Sequence, residues 1–175
     1  MRKIIIIGTI HHGWTPNEEL KDVLEKYVPN QLFIEIAEED IVKNNLKEYP
    51  PEMIFALNWA KENKVRADCF DVAGFTLKKG TTKKEIKNLI EEFSGLVKKT
   101  KLTWTDMNKE KNLKLLDAPN YLNAIDWKKE KAREREMLNN IKRVILKSGT
   151  IVIVTGAGHL KFFEEHFKRA EFPFR

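Results

Sequence analysis

The chain has 175 residues, 42% hydrophobic and 33% charged, with a single cysteine, Cys69. That length suits one domain with its own core, spanning residues 1–175. The lone cysteine excludes a disulfide framework and a cysteine-built zinc site, and it reads as a small buried apolar group rather than a nucleophile. The net charge of +6 raises nucleic acid as a partner. However, the lysines are mixed with glutamates in stretches such as KKEIKNLIEEF and KKEKAREREM, the pattern of a solvated helix face, so specific nucleic-acid binding is not expected. No apolar run approaches the roughly 20 residues that span a bilayer, and the first residues lack the layout of a signal peptide. The expectation is a cytoplasmic protein without a membrane segment.

Ile4–Gly13, IIIIGTIHHG, opens the chain. Its continuous β-branched run suits a strand buried on both faces, and the glycine ends the run just before two histidines. Asn17 reads as an N-cap, followed by two acids in the first turn and by Leu20, Val23, Leu24 and Tyr27 at helical spacing. Gln31–Ile36 is a second strand, with Glu35 set inside an apolar run. A carboxylate there is costly without a cation, a metal or hydrogen-bond donors. A helix is expected from Glu38 to about Glu48. Another starts at Pro51, a favourable first helical residue. Lys64–Phe70 is a third strand, ending at Asp71.

Gly74–Thr82 reads as a loop and Thr82 as the cap of a helix to about Lys98. Residues 100–127, with two tryptophans and Pro119, read as short helices and loops that could cap the sheet's functional edge. Exposed tryptophans in that segment would suit a homodimer contact or a lid. A long helix is expected over Lys128–Lys147, its buried stripe running from Met137 through Ile145 and extending back to Glu134 and the neighbourhood of Arg133. Thr150–His159, TIVIVTGAGH, repeats the opening arrangement: a β-branched strand, then glycine, then histidine three residues on. A helix follows to about Arg169. Strands alternating with helices make an α/β domain, with a mostly parallel sheet flanked by helices.

In such sheets ligands bind at the carboxyl ends of the strands. His11, Glu35, Asp71 and His159 would all meet there, with Arg133 reaching in from the long helix. Two imidazoles with one or two carboxylates could hold a divalent transition metal. Gly8, Gly156 and Gly158 would let the backbone approach the site closely. His12 would point elsewhere, and His166 reads as a surface residue. The Gly156-Ala157-Gly158 turn lacks the third glycine of a dinucleotide fingerprint and sits on the last strand.

These residues resemble the TraB/PrgY–GumN–TIKI superfamily and its erythromycin-esterase and ChaN-like relatives. Gly8-Thr9-Ile10-His11 is similar to the family's GTxH opening motif, and Glu35 in FIEIAEED to the glutamate ending its second strand. Asp71 is similar to its aspartate after the third strand. REREMLNNI, starting at Arg133, resembles its arginine-bearing helix, although Glu134 stands where asparagine or aspartate is usual. GTIVIVTGAGHL matches its second GxxH motif. The resemblance covers both ends of the chain and is thin between Gly74 and Trp127. It implies a metal-assisted hydrolase of an amide (peptide) or ester bond, acting on a peptide or small-molecule substrate. His11, His159 and Glu35 would hold manganese, cobalt or zinc, with Glu35 as third ligand or general base. Arg133 would stabilise an oxyanion or a substrate carboxylate, with Asp71 in support. The alternative is a non-catalytic protein that binds a metal, a haem-like ligand or a peptide at the same site.

Overall fold

The computed structural model describes residues 1–72, 74, 76–114 and 119–175. Ala73, together with Phe75 in the expected loop and residues 115–118 in the expected cap, lies outside the described residues. Four strands, β1 (Arg2–Thr9), β2 (Gln31–Ala37), β3 (Arg66–Asp71) and β4 (Gly149–Gly156), form an all-parallel sheet in the order β1-β4-β2-β3. The uninterrupted apolar runs account for this layout. Ile5, Ile6 and Ile7 of β1 and Ile151 through Val154 of β4 are at most 1% exposed, as strands covered on both faces must be.

Nine α-helices are found among the described residues: α1 (Asn17–Tyr27), α2 (Glu38–Val42), α3 (Pro51–Glu62), α4 (Lys83–Thr100), α5 (Trp104–Met107), α6 (Glu110–Leu113), α7 (Pro119–Ala124), α8 (Trp127–Val144) and α9 (Leu160–His166). The steps β1 to β2 and β2 to β3 run in one direction across the sheet, so right-handed crossovers place α1 and α3 on the same face, where they touch. The return from β3 to β4 reverses direction, and α8 packs on β3 from the opposite side. The strand order thus reverses around β4, the place where open α/β sheets form a crevice at their carboxyl ends.

Several boundaries differ from the sequence expectation, each for a local reason. Pro16, not Asn17, occupies the cap position of α1, and it makes no side-chain cap bond. The helix expected to Glu48 stops at Val42, and a 3-10 turn follows at Leu46–Glu48. The Tyr49 hydroxyl donates to Asp40 at 2.7 Å and accepts from the Ala37 N–H at 3.1 Å, drawing this segment back. The helix expected to Lys147 ends at Val144, where the Gln31 amide donates to the Val144 carbonyl and accepts from the Leu146 N–H. The last helix ends at His166 rather than Arg169, because the chain turns back along β1. There the Glu171 N–H donates to the Ile4 carbonyl and the Ile6 N–H to the Glu171 carbonyl, both at 2.9 Å.

The middle segment docks beside the carboxyl end of β1. Asn108, 2% exposed, accepts the Gly8 N–H at 3.1 Å and donates to the carbonyls of Gly8 and Trp104. Trp104 is 3% exposed: its ring N–H donates to Glu19, and its ring meets the edge of Phe174. Trp127 is 50% exposed. No described helix is long and apolar enough to cross a membrane.

Candidate functional site at the carboxyl end of the sheet

The ladder between β2 and β4 ends at Ile34 opposite Val154. One residue further on, the Glu35 side chain takes over the pairing. Its Oε2 accepts from the Thr155 hydroxyl at 2.5 Å and from the Gly156 N–H at 2.7 Å. Its Oε1 accepts from Arg133 Nη2 at 3.0 Å and stands 3.5 Å from His159 Nε2. Arg133 also grips Asp71 in a bidentate pair, with both bonds at 2.8 Å, and its Nη1 stands 3.5 Å from Glu130. The expected Glu35, Asp71, Arg133 and His159 are therefore brought together in one network.

His159 lies on the short 3-10 turn after β4, with its ring between two sets of acids. Nε2 faces Glu35, while Nδ1 is 3.0 Å from Glu134 and 3.7 Å from Glu130. One ligand atom each from Glu130, Glu134 and His159 lie within 4.8 Å of one another. Oε2 of Glu130 is buried without a hydrogen-bond partner among the described residues.

His11 arrives from the loop after β1. Register pairs Thr9 with Gly156, which brings the two Gly-x-x-His motifs side by side. A Cβ on Gly156 would lie 2.9 Å from His11 Nε2 and 3.7 Å from Glu35 Oε2, so the missing side chain is what admits the ring. His11 Nδ1 is 2.6 Å from Oε1 of Glu52, on the first turn of α3. The other two glycines serve differently from expectation. A Cβ on Gly8 would meet Asn108 at 2.5 Å and Leu160 at 2.7 Å, which makes Gly8 a packing position, whereas a Cβ on Gly158 would meet nothing within 4 Å among the described residues. His12 and His166 are exposed.

The charges are strongly coupled. Burial would raise the Glu35 carboxyl, but His159, Arg133 and His11 hold it well below the usual carboxylate range. Burial opposes the charge on His159, yet Glu35 and Glu134 carry its pKa up to about 10. Asp71 is raised by burial and by the nearby Glu35, against the pull of Arg133. Cys69 is pushed up to about 12 by burial and the carboxylates of Glu38 and Asp68, which rules out a thiolate at neutral pH. Five carboxylates (Glu35, Glu52, Asp71, Glu130 and Glu134) share this edge with one guanidinium and two imidazoles, so the site carries excess negative charge. A groove of about 430 Å³ meets this network at Asp71 alone and is otherwise lined by Ala37, Glu38, Val42 and Asn140 among others.

Glu52 and Glu130 escape a reading of the sequence. Glu130 had a usable signal, since the buried stripe of α8 that includes Glu134 reaches Glu130 one turn earlier. Glu52 had none: an acid in the first turn after Pro51 reads as an ordinary partner of the helix dipole. No known protein family matches this chain, and neither a curated protein nor a solved structure does.

Proposed function

We propose that this protein is a metal-assisted hydrolase of an amide or ester bond. In this reading Glu130, Glu134 and His159 hold a divalent manganese, cobalt or zinc ion. The observation that carries it is the setting of His159, with Nδ1 turned to two carboxylates and Nε2 to the buried Glu35. Ligating histidines are usually fixed in this way, by an outer carboxylate on the second ring nitrogen. Two carboxylates and an imidazole suit a hydrolytic divalent ion, and the unpartnered Oε2 of Glu130 fits that donor set. The ligand set implied by the family resemblance fits less well, because both oxygens of Glu35 are already taken up by protein groups. When bound, such an ion acidifies water and polarises a carbonyl oxygen.

The chain's own residues supply the rest. His11 Nε2, which has no hydrogen-bond partner among the described residues, takes the proton of an attacking water. The water oxygen adds to the carbonyl carbon. The same nitrogen then returns the proton to the leaving nitrogen or oxygen as the C–N or C–O bond breaks. Glu35 holds His159 and Arg133 in place. Arg133 commits Nε and Nη2 to Asp71 and Glu35; Nη1, in a looser 3.5 Å pair with Glu130, is the part that turns to a substrate carboxylate or oxyanion.

Calorimetric titration of manganese, cobalt and zinc chlorides tests this, with hydrolysis of 4-nitrophenyl acetate and a peptide panel alongside. Stoichiometric binding should vanish in His159→Ala and Glu134→Gln and persist in His11→Ala, while turnover should vanish in all three. Absence of binding in the wild type would overturn the metal assignment. Binding without turnover would instead make the protein a ligand-binding relative of such hydrolases.

A further inference from the structure

We infer that Glu52 is the positioning residue that sets the tautomer and aim of His11. Glu52 is 0% exposed, which is costly for a carboxylate unless it performs a task in the fold. Packing does not require the charge, because Met53, Ala56, Leu57 and Ala60 already supply the buried side of α3. Among the described residues the carboxylate has one close partner, His11 Nδ1 at 2.6 Å; the Thr9 hydroxyl lies at 3.5 Å, and Oε2 is buried with no partner among them. Its place in the first turn of α3 sets it at the positive end of the helix dipole.

An ionised carboxylate only accepts hydrogen bonds. Neutral His11 must therefore carry its proton on Nδ1 and present a bare Nε2. That nitrogen is the one lying against the open face of Gly156, toward Glu35. The imidazole is thus held with a lone pair facing the site, by the logic in which a buried acid fixes the tautomer of a catalytic histidine. His11 is one-third exposed and Glu52 is not exposed at all, so solvent reaches the imidazole but not the carboxylate that aims it.

The catalytic consequence rests on the hydrolase reading above, whereas the tautomer does not. The test therefore has two arms. Long-range ¹H–¹⁵N spectra of the full chain, with His11 assigned by His11→Asn, should show neutral His11 protonated at Nδ1. In Glu52→Gln the side-chain amide can donate to Nδ1, so the population should move to the Nε2–H form. Hydrolysis of 4-nitrophenyl acetate with manganese should then fall by about 10²- to 10⁴-fold in kcat, with KM within about twofold, and Glu52→Asp should recover part of the loss. A wild-type His11 protonated at Nε2 would overturn the inference without any variant needing to fold. So would a Glu52→Gln protein with the wild-type ring spectrum. An inactive wild type with the Nδ1–H tautomer would defeat the hydrolase reading and leave the role of Glu52 supported.

Discussion

Glu35 joins β2 to three other parts of the molecule through two oxygens. Thr155 and Gly156 hold one of them, and Arg133 and His159 hold the other. Removing its charge takes a buried carboxylate away from a guanidinium and an imidazolium at once. Glu35→Gln should therefore cost about 3–5 kcal/mol in a urea titration, the range for breaking a buried ion pair from one side. A loss below about 1 kcal/mol would show that Asp71, Glu130 and Glu134 compensate. The pH dependence has a definite sign. His159 is raised to about 10 from an ordinary value near 6.5, so in chelator-treated protein its contribution is complete below about pH 6.5 and disappears as pH rises through about 10. Glu35 is lowered, so its contribution is present above its unfolded value near 4.3 and is lost as pH falls through its depressed value. Melting temperature should fall on both sides of that window, and the alkaline fall should be much reduced in Glu35→Gln. Glu35 was legible as a carboxylate inside an apolar run, because such a group demands partners. Glu52 was not, because only the fold reveals that it faces a histidine from another element.

The strands were legible for the same reason that they are buried: continuous Ile and Val runs permit no wet face. Helix ends were less legible, because they are set by distant side chains such as Gln31 at the end of α8. The docking of α5 onto the sheet was also hidden. The outer side of Gly8 lacks a neighbouring strand, and the Asn108 amide supplies one acceptor and one donor in its place. Nothing local to Asn108 announces that task, a hundred residues from Gly8. Asn108→Leu leaves the Gly8 N–H and carbonyl without partners, so it should destabilise the chain by about 2–4 kcal/mol. It should also speed proteolysis between Leu102 and Lys114 more than elsewhere. Uniform proteolysis would mean that α5 and α6 are held chiefly by Trp104 and Phe174.

Across the whole molecule, the outer edge of β1 is closed by the segment around Glu171, whose backbone pairs with Ile4 and Ile6. Phe172 and Phe174 anchor that segment on the core. Deleting residues 171–175 should expose a row of unpaired backbone groups beside an isoleucine run, a template for edge pairing between copies. Light scattering after gel filtration should then show concentration-dependent self-association absent from the full chain; an unchanged mass would show that the edge is protected by other means. The strand order also governs how the molecule comes into being. β1 and β2 never touch in the finished sheet, because β4, made more than a hundred residues later, lies between them. A chain emerging from the ribosome therefore holds two apolar strands that must wait for a third, and the loops bearing His11 and Glu35 have no common floor until β4 arrives. Contacts so distant in sequence make for slow assembly, and a chain stopped before β4 has strands and helices but no site. Any activity at this edge thus waits for β4, whose insertion lays the floor on which the site is assembled.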